Sequence, residues 1–232
     1  GGDNMSRSNE INVVVDPSVA GASSGNATSA FALALSYTFQ DIGIVTIPLH
    51  EEAAELYVYL EREGEVQRLE RLDHLGRLRV VHKSAHYSRW EYVMLQLYFL
   101  SMIRKSDEIR GLTQGIKIGS YNISSVEELI KCWIFLLNYG HLDGIFDAER
   151  LWAHLFKSNE DVKSIFLKGL PTPKFRELAN EAFEAEDFYS LHKFLAAFAL
   201  ARRTGKRQFA LWIAMLQALI GAAKPGSKIA RA

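Results

Sequence analysis

Two stretches of this 232-residue chain concentrate side chains that could do chemistry. In the first, Arg77, Arg79, His82, Lys83, His86 and Arg89 lie close together, with Tyr87 and Trp90 among them. Cations spaced between aromatic rings suit a nucleotide or a nucleic-acid backbone, since charges meet phosphates and rings stack on bases. The same composition is also that of an ordinary solvated face. The second stretch is Leu137-Asn138-Tyr139-Gly140-His141, followed by Asp143, Asp147 and Glu149. His141 can donate to an anion or transfer a proton; at a helix end it can equally be satisfied by backbone carbonyls. Asp147 is read as the cap of the next helix. A further basic group, Arg202-Arg203 with Lys206-Arg207, reads as a helix-dipole partner.

Several classes of chemistry find no support. There is no phosphate-binding glycine loop, no Gly-x-Ser-x-Gly elbow and no His-Glu-x-x-His helix. The acid runs at Glu51-Glu52 and Glu184 to Asp187 fit helix ends and define no carboxylate pair. The single Cys132 sits in the apolar run Cys-Trp-Ile-Phe-Leu-Leu, which predicts a buried, inert thiol and excludes a cysteine-rich zinc site. Lys+Arg and Asp+Glu both total 27, so net charge gives no bulk argument for nucleic acid or an anionic membrane. No run reaches the ~18 apolar residues that a membrane span needs, and no secretory signal is visible, so a cytoplasmic protein with no membrane partner is expected. Gly1-Gly2-Asp3-Asn4 reads as a remnant before a natural start at Met5, and the chain is compatible with a piece of a longer protein.

The elements that must position these residues are mostly helices. Hydrophobic content of 48% with 23% charged residues is that of a globular domain able to bury a sizeable core. Residues 1–30 are rich in Gly, Ser, Asn and Ala and are read as a flexible segment, with Ile11 to Val15 a short strand or an arm that docks elsewhere and Val19 to Ser29 a connector. Ala30 to Phe39 fits a helix or a strand, and Ile42 to Pro48 is a β-rich run. Helical spacing follows at Ala54, Leu56, Tyr57 and Leu60, then at Val66, Leu69, Leu72 and Leu75, with Gly76 at a cap position. Arg89 to Met102 is an apolar helix, and a polar loop is expected around Ser106 to Ser120. Ser124 with Glu127 reads as a capping box ahead of Leu129 to Leu137. Amphipathic helices are predicted near 147–157, 159–168, 173–184 and 187–203. The last helix, Gln208 to Ala222, is apolar on more than one face, so it must be buried or covered by a partner. The expected fold class is mainly α, a helical bundle over residues 31–222 with a small β element near the N-terminus, then a basic tail at 223–232.

Fragments of this pattern resemble the HD-domain phosphohydrolases, in the branch that cleaves deoxynucleoside triphosphates. Asp41 to Leu60 is similar to the β element and helix that open that branch, and Gln67-Arg68-Leu69 with Leu75-Gly76 to its next helix. Ser88-Arg89-Trp90-Glu91-Tyr92 resembles the family's Ser-Arg-Phe-Glu-His, and Leu137-Asn138-Tyr139-Gly140-His141 its Leu-His-Asp-x-Gly-His block. The likeness spans roughly Asp41 to Glu149. It implies an HD-type helical bundle built around two antiparallel helices. It also implies that Arg89 reaches phosphate, as a guanidinium fork suits, and that His141 lies near phosphates; pairing of Arg89 with Glu91 or another carboxylate is the structural alternative. The family's metal-binding His falls on Tyr92 and its His-Asp pair on Leu137 and Asn138. Catalysis of that kind needs imidazoles and carboxylates around a divalent ion. A phenol suits the role poorly, Leu137 has no donor atom, and the Asn138 amide carries no charge.

The expectation is therefore a catalytically silent HD-like domain without metal or cofactor. It would serve as an interaction, assembly or regulatory module, meeting a protein partner or a second copy through the apolar C-terminal helix. One alternative is a nucleotide or nucleic-acid binding domain using the remnant pocket, with Arg89, His141, His86, Lys83 and Asn138 as contacts. Another is an active phosphohydrolase with ligands such as His74, His86, Asp143 or Glu149.

Overall fold

A computed structural model describes residues 32–76, 87–105, 111–185, 187, 190–203 and 207–222. Strands β1 (Ala32–Phe39) and β2 (Gly43–His50) form an antiparallel pair in the register Ala32↔His50 to Phe39↔Gly43. The undecided Ala30 to Phe39 segment is thus a strand across the described residues. Leu33, Leu35 and Phe39 alternate inward against Val45, Ile47 and Leu49, so pairing and burial together decide what periodicity left open.

Helices α1 (Glu51–Arg62) and α2 (Glu65–Arg71) follow, separated by Gly64 in the left-handed region (φ 76°). Leu72 is already extended, so Gly76 does not cap α2; it sits in a later turn at φ 54°. Helix α3 is Arg89–Lys105, and a hairpin of β3 (Ile116–Ile118) and β4 (Tyr121–Ile123) occupies part of the expected loop. Helix α4 (Val126–Tyr139) is packed by α1, α3, α8 and α9. Helices α5 (Ile145–Ser158), α6 (Glu160–Gly169), α7 (Pro173–Glu184), α8 (Leu191–Ala201) and α9 (Arg207–Ala222) complete a mainly α fold. Among the described residues no helix is long and apolar enough to cross a membrane.

Two expected caps move. Ser125, not Ser124, caps α4, its Oγ accepting from the Glu128 N–H at 3.1 Å. Ser124 is held instead by Glu52, which accepts from its N–H and its hydroxyl. Asp147 is not a cap: α5 starts at Ile145 after Gly144 at φ 88°, which leaves Asp147 in the first turn.

The apolar C-terminal helix α9 is covered from within the chain. It lies against α4, α7, α8 and β3, with Phe209, Trp212, Met215, Leu216 and Ile220 buried and the other large apolar residues half-buried. Exposed apolar side chains sit elsewhere, notably Phe99, Met102 and Ile103 on one face of α3.

Helices α3 and α4 run antiparallel, since the start of α3 meets the end of α4 and Arg104 meets Glu127 at the other end (3.1 Å). There Lys131, 1% exposed, bonds Glu127 (2.8 Å), Glu128 (2.6 Å) and the Pro48 carbonyl (2.8 Å), tying α4 to β2. Burial raises the Glu128 carboxyl, against the pull of Lys131 and the His50 N–H. Removing one partner of such a knot strands a buried charge. Lys131→Met is expected to lose about 3–5 kcal/mol in urea unfolding; a loss under about 1 kcal/mol would mean that the carboxylates are neutralised by other means.

Candidate functional site

The site is assembled where the start of α3 meets the end of α4. Ser88 pairs with Asp73 in an isolated bridge, and its hydroxyl accepts from the Glu91 N–H at 3.0 Å, which starts α3 at Arg89. The Arg89 N–H donates to the Leu72 carbonyl at 2.7 Å. These bonds aim the Arg89 side chain at the C-terminal end of α4, where it is only 8% exposed.

Its guanidinium makes three hydrogen bonds. Nε donates to Asn138 Oδ1 at 2.6 Å, Nη1 to His74 Nδ1 at 2.7 Å and Nη2 to His141 Nε2 at 2.5 Å. Asn138 is fixed in turn by donation to the Ile134 carbonyl at 2.7 Å. Because a guanidinium only donates, His141 Nε2 must be an acceptor and Nδ1 carries the proton. That Nδ1–H donates to Glu149 Oε1 at 2.5 Å. By the same rule His74 keeps its proton on Nε2.

The electrostatics follow from burial. Desolvation and the Arg89 charge push His74 down to about 4. Desolvation likewise takes His141 down to about 4, with His192 and Arg89 adding to it and the Glu149 bond opposing it. Burial raises the Glu149 carboxyl, but its contacts with His141 and His192 outweigh burial and hold it below the usual range. Desolvation lowers Arg89 to about 10, which leaves it charged at neutral pH. The site therefore holds a buried cation and a buried anion with a neutral imidazole between them.

Helix α8 closes the far side. His192 stacks on His141 with ring centroids 4.2 Å apart, and its Nδ1 lies 3.5 Å from Glu149 Oε2. This approach depends on Gly140: a Cβ there would stand 1.8 Å from the His192 carbonyl oxygen. Arg68 holds the other side of the loop, donating to the carbonyls of His141 (2.7 Å) and Tyr139 (2.9 Å). A groove of about 560 Å³ opens beside it, with Arg68, Asp143, Trp152 and Phe198 in its lining.

Of the residues expected from sequence, Arg89, Asn138 and His141 are brought into one network, while Lys83 and His86 lie outside the described residues. The alternative pairing of Arg89 with a carboxylate is corrected: its acceptors are neutral, and Glu149 is reached only through His141. The carbonyl-satisfied His141 is corrected too, because its ring bonds side chains and Arg68 takes its carbonyl. His74 and Glu149 join the network, whereas Asp143 is exposed. His192 had no sequence signal; it is a lone histidine at the start of an apolar helix. The Cys132 thiol is buried and pushed well up by desolvation, as its apolar run predicted.

The metal ion that the resemblance implies does not fit the residues at its ligand positions. The Tyr92 ring stacks on His74 at 4.0 Å and faces the Arg89 guanidinium at 5.0 Å. Leu137 offers no donor, and the Asn138 oxygen is taken by Arg89.

Comparison with models of protein families, with curated proteins and with solved structures returns no match for this chain.

Two outcomes are expected from this geometry. The His141 pKa is depressed on folding, so its contribution to stability is complete above the ordinary value near 6.5 and is lost as pH falls toward 4. Denaturant unfolding at pH 4.5 should give a stability lower by about 2 kcal/mol than at pH 7.5 from this group, and His141→Gln should flatten that slope. Separately, Gly140→Ala should cost at least about 3 kcal/mol, because backbone rather than a flexible side chain blocks the new methyl; a loss below 1 kcal/mol would show that α8 is not seated on Gly140.

Proposed function

We propose that this chain is a catalytically silent helical domain of the HD type that serves as an interaction, assembly or regulatory module. The observation that carries the reading is the Arg89 guanidinium hydrogen-bonded to Asn138, at the position where the resemblance calls for a metal-binding carboxylate. A 2+ ion about 4 Å from a guanidinium is repelled by about 8 kcal/mol at an effective dielectric of 20. With Tyr92, Leu137 and Asn138 in place of the ligands, little attraction remains to offset that. The antiparallel α3–α4 pair, with both motifs at one end, supports the HD-type part of the reading.

The retained nucleotide pocket is the weaker reading. Three of the five N–H groups of Arg89 already have acceptors in a side chain only 8% exposed, and among the described residues the arginine lining the neighbouring groove is Arg68, itself held on two carbonyls. As a module, the chain offers the apolar stripe Phe99, Met102 and Ile103 on α3 in place of the covered C-terminal helix.

The test is a phosphate-release assay with deoxynucleoside triphosphates in Mg²⁺ and Mn²⁺, paired with thermal unfolding in the same mixtures. A ligand held at 100 times its Kd adds about 2.7 kcal/mol of stability, so binding would be visible. No turnover and no shift are expected. EDTA-sensitive phosphate release would overturn the silent reading, and a nucleotide shift abolished in Arg89→Ala would replace it with the retained pocket.

A further inference from the structure

We propose that His141, Glu149 and His192 form a latent site for a divalent transition-metal ion, closed in this protein by the guanidinium of Arg89. The three side chains each place one donor atom within 4.8 Å of the others. Two imidazoles and a carboxylate are the ligand set that zinc and its neighbours accept. His141 and Glu149 are almost completely buried. Among the described residues, Glu149 Oε2 and His192 Nδ1 are buried and answered only by each other, without a well-formed hydrogen bond, which is a weak way to satisfy two buried polar atoms. They lie 3.5 Å apart. Ligands at about 2.0–2.2 Å from a tetrahedral zinc are roughly 3.3–3.5 Å apart, which is the separation of this pair before either ring turns.

Arg89 keeps the site shut by hydrogen-bond logic as much as by charge. The guanidinium requires His141 to accept at Nε2, which places the proton on Nδ1, the nitrogen turned to Glu149. A protonated nitrogen cannot ligate. If Nδ1 took a metal, Nε2 would carry the proton and confront a group that only donates. A metal-bound histidine wants an acceptor at its outer nitrogen, the reverse of what Arg89 presents. The stacked rings add a second restraint. With an interplanar angle of 20° and centroids 4.2 Å apart, no point within bonding distance lies in both ring planes. One ring must turn, and among the described residues His192 is held at Nδ1 only by its 3.5 Å contact with Glu149.

The test is calorimetric titration with Zn²⁺ of the wild type, of Arg89→Met and of Arg89→Met/His192→Ala. The single variant is expected to bind one Zn²⁺ at least tenfold more tightly than the wild type, and the double variant to lose that gain. No gain in Arg89→Met, or a gain that survives His192→Ala, would overturn the proposal. Because Arg89→Met strips three acceptors of their donor, the wild type supplies a second measurement by ¹⁵N imidazole NMR. His141 should show its proton on Nδ1 and remain unmoved by one equivalent of Zn²⁺. A proton on Nε2, or joint Zn²⁺-dependent shifts of His141 and His192, would show that Arg89 does not close the site.

Discussion

A guanidinium held almost wholly out of water must be answered by acceptors and by a counter-charge, and this end of the bundle is built around that need. Arg89 gathers Asn138 from the end of α4, His74 from the link after α2 and His141 from the loop leading to α5. The counter-charge, Glu149, comes from α5 through His141. Helix α8 then docks where Gly140 leaves room. Three stretches apart in sequence, around His74, around Arg89 itself and from Asn138 to Glu149, are thereby tied together at one side chain. Its acceptors are neutral because burial and its own charge keep His74 and His141 unprotonated, so cation and imidazoles enforce each other's state.

The opposite end of the α3–α4 pair repeats the device with other groups. Lys131 sits between Glu127 and Glu128 and reaches the Pro48 carbonyl, while Arg104 closes on Glu127 from α3. Between the two knots lies an apolar interior that includes Trp90, Leu97, Phe135 and Leu136. Burial of such side chains supplies the gross driving force, about 1.5–3 kcal/mol each. The ionic knots add little net stability of that kind, but each fails badly if half is removed. They fix which end of each helix meets which, and so place the network around Arg89 reproducibly.

How much of this was legible depends on whether the cause is local. Helical spacing located the helices, and the two motif fragments named Arg89, Asn138 and His141, which the fold does bring together. The strand at Ala32 was not decidable, because its partner β2 and the core beneath it decide. Two adjacent serines made the α4 cap ambiguous by one residue, and Glu52, distant in sequence, resolves it by capturing Ser124. The last helix reads as one to be buried or covered by a partner, and sequence cannot choose, because α4, α7, α8 and β3 lie against it only in the fold. His192 enters the site only because a glycine on another element lacks a Cβ, a steric fact with no local signature. The neutral partners of Arg89 were equally hidden, since a buried arginine is ordinarily expected on a carboxylate.

The measurement that bears most directly on this account is a double-mutant cycle between Arg89 and Glu149, read as unfolding free energy of the wild type, Arg89→Met, Glu149→Gln and the double variant at pH 7.5. If Glu149 is the counter-charge of Arg89 through His141, each single variant strands a buried charge and the double variant relieves it. The combined loss should then fall short of the sum by at least about 2 kcal/mol. Losses that add to within about 0.5 kcal/mol would mean that the two charges are balanced independently, and the central role given to Arg89 would be wrong.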